Sequence, residues 1–137
     1  MCKYKFRGSS LDNAQWVIGN LIHECTGEMF IVESFLHGEF GEKVARDWHM
    51  VDPSTVCQYS TVNLKDGTEL YEGDIVQHTT AKWIGVIVFG DGAFKVKASH
   101  GTWVLDKLRA ERLVKLGNRW DDEELLTKEK QHEKTKQ

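Results

Sequence analysis

Apolar and polar positions in the first fifty residues predict a β-hairpin. Two runs, residues 15–22 and 28–35, are rich in β-branched and aromatic side chains, and a turn-like Cys25-Thr26-Gly27 lies between them. Runs of this kind, bounded by a glycine-containing turn, are typical of paired strands. The next segment, residues 39–48, has no clear period, so a short helix and an irregular surface segment both stay open.

From Asp52 onward the pattern changes to short strands at close spacing. Six are predicted, over residues 55–59, 74–78, 83–89, 93–98, 102–105 and 112–116. Regular short strands with glycine turns favour a small barrel or sandwich. Two turns are well marked, because Lys65-Asp66-Gly67-Thr68 and Gly90-Asp91-Gly92 contain Asp-Gly pairs that accept positive φ at little steric cost.

The end of the chain predicts a short helix and a tail. Asp121 is placed to cap the helix, and Leu125 and Leu126 are its apolar anchors. Residues 127–137 contain no large apolar side chain, so we expect a flexible, charged tail. The predicted fold is α+β and mainly β: an N-terminal hairpin region (1–50) packed on a C-terminal SH3-like small barrel with a short C-terminal helix (51–126).

The composition is that of a globular protein, with 40% hydrophobic and 28% charged residues in 137 positions. No apolar stretch approaches the roughly 18 residues of a membrane span, and the start of the chain lacks the apolar core of a signal peptide. We therefore expect a cytoplasmic protein with no membrane partner. The three cysteines, Cys2, Cys25 and Cys57, fit free thiols in a reducing compartment.

Charge is unevenly distributed along the chain. The net charge is −3, yet residues 9–52 hold eight acidic and two basic side chains, whereas residues 74–115 hold four acidic and seven basic ones. A small positive excess of this kind only mildly favours nucleic-acid binding.

A long signature occupies the middle of the chain. It runs through Pro53-Ser54-Thr55-Val56-Cys57-Gln58-Tyr59 and the Asp66-Gly67 turn into Tyr71-Glu72-Gly73-Asp74-Ile75-Val76. This joint pattern resembles that of the YopX-type proteins of bacteriophages and prophages, and the likeness covers about residues 3–126. The chain departs from it at Cys57, at Ser60-Thr61-Val62 where Thr-Gly-Leu is usual, and at Arg119-Trp120-Asp121-Asp122. The resemblance implies a phage or prophage setting and carries over no catalytic residue.

The signature also has a direct physical interpretation. Gly73 permits a tight backbone turn into the first barrel strand, and Asp74 is placed to accept hydrogen bonds from the amides of that turn. We therefore interpret the signature residues as structural: Thr55, Gln58, Tyr59, Tyr71, Glu72, Gly73 and Asp74.

Catalytic motifs are absent from the sequence. It contains no Walker loop, dinucleotide fingerprint, nucleophile elbow or paired-cysteine zinc motif, so we expect no enzyme activity, no cofactor and no metal site. His23-x-Cys25 is better explained as two strand side chains than as metal ligands. The acidic run 121–124 fits a helix N-terminus, where negative charge is stabilising.

One pattern points to a binding face on the barrel. Cations and stacking rings are interleaved in the basic part of the chain: Lys82, Trp83, Lys95, Lys97, His100 and Trp103. On one side of a barrel they would bind nucleic acid, or equally a host or phage protein. The aromatic load of five Trp, six Phe and three Tyr also predicts a homo-oligomer. We expect a non-enzymatic accessory protein acting by self-association or macromolecular binding, with nucleic-acid binding through this face as the alternative.

Overall fold

The computed structural model describes residues 4–126 and contains two β-rich units. Within that range, the first unit ends at Tyr59 and the second begins at Ser60. The boundary lies further along the chain than the one expected between residues 50 and 51. The reason is that Cys57 and Gln58 still pair with strand β1 (Phe6–Ser9) of the first unit. The tail predicted for residues 127–137 lies outside the described part of the chain.

The first unit is built on an antiparallel sheet. Its strands are β1, β2 (Trp16–His23), β3 (Met29–His37), β4 (Lys43–Val51) and the beginning of β5 (Cys57–Asn63), in the order β4-β3-β2-β1-β5. The predicted hairpin is confirmed, since β2 and β3 pair antiparallel and Gly27 takes a positive φ of 96° in the turn between them. A short 3-10 turn, Pro53–Thr55, precedes β5.

Strand β4 was not foreseen. Residues 39–48 were expected to be a short helix or an irregular segment, and both expectations were wrong, because β4 pairs with β3 along its length. The strand lies at the edge of the sheet and is mostly exposed between residues 43 and 48, so neither face needs to be apolar there. Register shifts between Val32 and Phe35 further disturb the alternation that would have revealed it.

One face of this sheet carries the core of the first unit. Val17, Ile31 and Val51 are buried, with Phe6, Leu21, Met29 and Val56 packed against them.

The signature residues at the start of β5 join this strand to β1 and the residues beside it. Thr55 Oγ1 accepts a hydrogen bond from the Ser9 amide at 2.9 Å, and Gln58 pairs with Phe6. The buried Tyr59 donates its amide hydrogen to Lys5 O.

The second unit continues β5 and adds six strands and two short helices. They are β6 (Glu69–Tyr71), β7 (Asp74–His78), β8 (Ile84–Gly90), β9 (Ala93–Ala98), β10 (Gly101–Val104), α1 (Lys107–Ala110), β11 (Leu113–Asn118) and α2 (residues 123–126). The antiparallel sheet has the order β10-β9-β8-β7-β11. The mainly β class with a short C-terminal helix is confirmed. That helix begins two residues after Asp121, whose carboxylate accepts a hydrogen bond from Asn118 Nδ2.

The core of the second unit lies on one face of its sheet and under the β5–β6 hairpin. It consists of Leu64, Leu70, Val76, Ile87, Val96, Leu105, Ala110 and Leu113.

Both predicted turns are confirmed, because Gly67, Asp91 and Gly92 all take positive φ. Hydrogen bonds from the amide and hydroxyl of Thr68 lower the pKa of Asp66. The arrangement is compatible with the expected small barrel.

The turn from β6 to β7 joins several strands of this unit. Asp74 Oδ2 accepts a hydrogen bond from the Tyr71 amide at 2.8 Å, while the Gly73 amide donates to Ile87 O and Gly73 O accepts from the Arg119 amide. Gly73 takes a φ of +87°. Gly73 thus forms the turn, and Asp74 accepts a hydrogen bond from an amide of the same turn.

The remaining turn residues support the same arrangement. Tyr71 is buried, its hydroxyl lies 3.4 Å from Glu69 Oε1, and Glu72 is half-buried. The carboxylate of Asp74 is fully buried, and Lys115 Nζ lies 3.4 Å from its Oδ1. A cation is therefore available to the buried carboxylate from the neighbouring strand β11.

We expect Gly73→Val to destabilise the protein strongly. A Cβ at this position would overlap the Trp120 ring, and a β-branched residue is strained at positive φ. Together these effects should cost more than about 3 kcal/mol of unfolding free energy, measured by urea titration.

Gly92→Val is the matched control, since Gly92 also has positive φ but a Cβ there would meet open space. It should show the backbone strain alone, about 1–3 kcal/mol. Trp120→Ala should restore part of the loss in Gly73→Val. Equal losses in the two glycine variants would contradict a role for the Trp120 contact.

Thr61 stores backbone strain. Its φ is +67°, a conformation that β-branched residues rarely adopt, and the chain bends there as the Ser60 hydroxyl accepts from the Val62 amide. We expect Thr61→Gly to raise the unfolding free energy by about 1 kcal/mol, because relief of strain exceeds the entropic cost of glycine.

Thr102→Gly serves as the reference for the Thr61 variant. Thr102 is exposed in β10 and has no positive φ, so glycine there should lower stability by about 1 kcal/mol. The two variants should thus shift the thermal midpoint in opposite directions. A decrease in both would show that Thr61 is not strained in solution.

Candidate functional site

Four aromatic rings gather at one end of the sheet in the second unit. We call His78, Trp83, His100 and Trp103 the aromatic cluster. The indoles of Trp83 and Trp103 are stacked, with centroids 5.3 Å apart and an interplanar angle of 25°. His78 lies 5.4 Å from Trp83 at 32°, and His100 meets both indoles more steeply, at 5.5 Å and 5.0 Å. His78, Trp83 and Trp103 therefore form a short stack, and the imidazole of His100 lies across its side.

Two glycines make room for the indoles. A Cβ at Gly85 would lie 3.2 Å from Trp83 Cζ3, and one at Gly101 would lie 3.1 Å from Trp103 Cζ2. Trp103 pairs across the strands with Val96, whose side chain is buried in the core. Because directly opposed residues share a face of the sheet, Trp103 lies on the core side and closes its end.

His78 is fixed by the loop that follows β7. Its Nδ1 accepts hydrogen bonds from the amides of Thr80 and Ala81, at 3.2 Å and 2.9 Å. Nδ1 is therefore the acceptor, and the ring hydrogen of the neutral imidazole lies on Nε2, where it can be donated. Lys82 ends the loop with a φ of +64° and an exposed side chain.

A cleft of about 440 Å³ opens beside the two indoles. It is lined by His78, Trp83, Val96, Trp103, Leu108, Arg109, Glu111, Arg112 and Leu113. Helix α1 supplies one wall and is capped by Asp106, which accepts from the Arg109 amide at 2.8 Å. Apolar walls with a few polar groups are the usual composition of a ligand pocket, and this volume is in the usual range.

The two arginines at the cleft differ in their partners. Arg109 Nε lies 3.8 Å from Asp106 Oδ2. Arg112 is exposed, and within residues 4–126 no carboxylate forms an ion pair with its side chain. Its backbone is nevertheless held, because Arg112 O accepts from the Thr79 amide at 2.8 Å. The backbone of Arg112 is thus held beside the cleft, and its exposed guanidinium is available to an anion.

The candidate face predicted from the sequence is divided between two sides of the sheet. Val96 points into the core, so its neighbours Lys95 and Lys97 point to the opposite face, away from Trp103. Lys95 also lies 3.7 Å from Asp91. Trp83, His100 and Trp103 do come together, and Lys82 stands on the adjoining loop. The expected single surface of lysines and rings is therefore not formed.

The cations that do adjoin the rings were missed in the sequence. Arg109 lies on the unforeseen helix α1, and Arg112 immediately precedes β11. His78 was assigned to a strand without a role. Leu113 pairs with His78, and this pairing brings Arg109 and Arg112 beside the aromatic cluster. The pairing could have identified both arginines, but it can be inferred only when the order of strands in the sheet is known.

Other candidates remain scattered. Cys25 is in the exposed turn after β2 and not at an alternate strand position beside His23. Across residues 4–126, no group of three or more His, Cys, Asp or Glu side chains is arranged to hold a metal ion. In the same range, no helix has the length and apolar character needed to cross a membrane.

Comparisons with known proteins inform the fold. No family model matches the chain, and no curated protein matches it. The chain is similar to a solved structure, the crystal structure of protein EF1440 from Enterococcus faecalis, with a TM-score of 0.68 and 18% sequence identity. The alignment covers 92% of this chain and 99% of that one. At this level of identity the likeness shows a shared fold alone.

Proposed function

We propose that this chain is a non-enzymatic accessory protein that acts by self-association through its N-terminal sheet. The resemblance of the central signature to YopX-type proteins supports a phage or prophage setting, in the cytoplasm of a bacterial host. That family assignment stays a prediction. The observation that carries the proposal is an apolar surface on the side of the sheet opposite its core.

This surface, the outer patch, consists of Ile18, Ile22, Phe30, Trp48 and Met50. Cross-strand pairing of Ile22 with Phe30 and of Phe30 with Met50 places these residues on one face. Ile18, Ile22 and Trp48 are 45%, 40% and 53% exposed. Antiparallel sheets commonly bury one apolar face and leave a polar one to water, so a second apolar face indicates a partner.

A second copy of the chain is the partner that suits this patch. A two-fold interface brings each residue of the patch near its own equivalent, so like charges at its centre would repel. The five residues of the outer patch are uncharged, and Arg7, which pairs with Ile18 on the same face, is only 5% exposed. Trp48 and Phe30 already meet edge to face, with centroids 5.6 Å apart, and present an aromatic centre of the kind that dominates binding energy at interfaces.

The tip of the β3–β4 hairpin extends the exposed apolar surface. Leu36 and Val44 pair across the strands and are 51% and 56% exposed, and Phe40 in the loop is 93% exposed. The loop is ordered by Glu42, which accepts hydrogen bonds from the amides of Gly38 and Phe40. An aromatic side chain held outward in this way adds contact area at small entropic cost.

We expect light scattering at micromolar concentration to show a species heavier than the 15.7 kDa monomer. Trp48→Lys should shift the equilibrium toward monomer, raising the dissociation constant roughly 30-fold or more, as for loss of an interface hot spot. Because the interface is apolar, raising the salt concentration should not dissociate it.

Val104→Lys is the control for the Trp48 variant. Val104 is similarly exposed at 54%, but it lies in the second unit, so this substitution should leave the mass unchanged. A wild-type chain that stays monomeric on concentrating would overturn self-association. If the monomer then bound a host or phage protein only with Trp48 intact, the outer patch would belong to that protein instead.

A further inference from the structure

The cleft beside the aromatic cluster has features that self-association does not use. Its lining residues all lie in the second unit, whereas the outer patch lies in the first. The indoles of Trp83 and Trp103 are only partly buried, and Leu108, which also lines the cleft, is 76% exposed. Planar ring surface and an apolar wall thus face a space large enough for a single small ligand.

Charge at the cleft selects the chemical class of that ligand. Two guanidinium groups, Arg109 and Arg112, line it against one carboxylate, Glu111, in a protein whose net charge is −3. Guanidinium groups bind phosphate through paired hydrogen bonds, and they do so best where no internal carboxylate occupies them. Arg112 meets that condition within the described residues, and Arg109 shares its charge with Asp106.

We propose that the cleft binds one nucleotide unit, with the base stacked on the Trp103 indole at the end of the ring stack and the phosphate held by Arg112 and Arg109. His78 adds a ring hydrogen on Nε2 for an acceptor on the base or sugar. The nucleotide is either free or part of a single strand, and the same groups recognise both. Stacking of this kind accepts any base, so the expected preference is for unpaired over duplex nucleic acid.

The geometry favours a nucleotide over a peptide. An apolar peptide side chain would use the rings and Leu108 but would leave the Arg112 guanidinium without a partner. An acidic peptide would use the arginines without needing a stack of rings. A nucleotide uses both features at once, because it combines a flat aromatic group with an anion a few bonds away.

Tryptophan fluorescence of the full chain provides the test. Titration with an oligothymidylate of about ten nucleotides should quench the emission saturably. An abasic oligomer of the same length and inorganic phosphate should bind at least about tenfold more weakly, because they lack the base. Thymidine monophosphate distinguishes the sources: binding of the mononucleotide alone indicates a free nucleotide, and tighter binding of the oligomer indicates a strand.

Arg112→Gln and Lys97→Gln form the matched pair of variants. Both residues are exposed and basic, but Lys97 lies on the opposite face of the sheet. Arg112→Gln should weaken binding of the oligomer about tenfold and reduce its salt dependence, whereas Lys97→Gln should leave both nearly unchanged. Since Arg112 is exposed, this variant should keep the fold, which the thermal midpoint checks.

Four results would overturn the proposal. One is the absence of quenching by either the oligomer or the mononucleotide. Another is equal affinity of the abasic and the base-containing oligomers, which would exclude stacking. The third is wild-type affinity in Arg112→Gln, and the fourth is quenching by acidic or proline-rich peptides in place of nucleotides. Each readout is independent of oligomeric state, because Trp48→Lys should bind the oligomer as the wild type does.

Discussion

The β6–β7 turn, centred on Gly73 and Asp74, is the constraint on which the second unit depends. The Asp74 carboxylate closes the turn on the Tyr71 amide, while the two polar groups of the Gly73 backbone bond to β8 and to the residue after β11. Strand β8 and the residue after β11, both distant in sequence from the turn, therefore meet at Gly73. A buried carboxylate is costly unless it is hydrogen-bonded and paired; here Oδ2 accepts from the Tyr71 amide, and Lys115 forms an ion pair with Oδ1 at 3.4 Å. The position of Trp120 over Gly73 explains why this place accepts no side chain.

Local chemistry made much of this fold predictable. The β2–β3 hairpin, the Asp-Gly turns and the bounds of β7 and β9 could be inferred from the sequence because each depends on residues close together in the chain. Gly73 and Asp74 belong to the same class, since their turn is a local structure. Strand β4 could not be inferred, because an exposed edge strand with a shifted register has no reason to alternate apolar and polar residues.

The candidate site was predictable only in part, and the reason is again physical. Trp83 and Trp103 were correctly grouped, but Lys95 and Lys97 were grouped with them although alternation along β9 places them on the other face. Whether two side chains on neighbouring strands share a face depends on the register of the strands. A single sequence does not specify that register. Arg109 and Arg112 reach the cleft through α1 and the β7–β11 pairing, and both are long-range features. The outer patch has the same origin, because which side of the N-terminal sheet is covered depends on packing.

The stacked pair of Trp83 and Trp103 also gives the molecule an optical property. Two indoles whose centroids are 5.3 Å apart and whose planes are nearly parallel are close enough for their electronic transitions to couple. The resulting circular-dichroism band overlaps the region from which β content is usually estimated, so that estimate would be distorted for this chain. The same band would report on the spacing of the two rings, and its loss would show that they had separated while the strands beneath them remained paired.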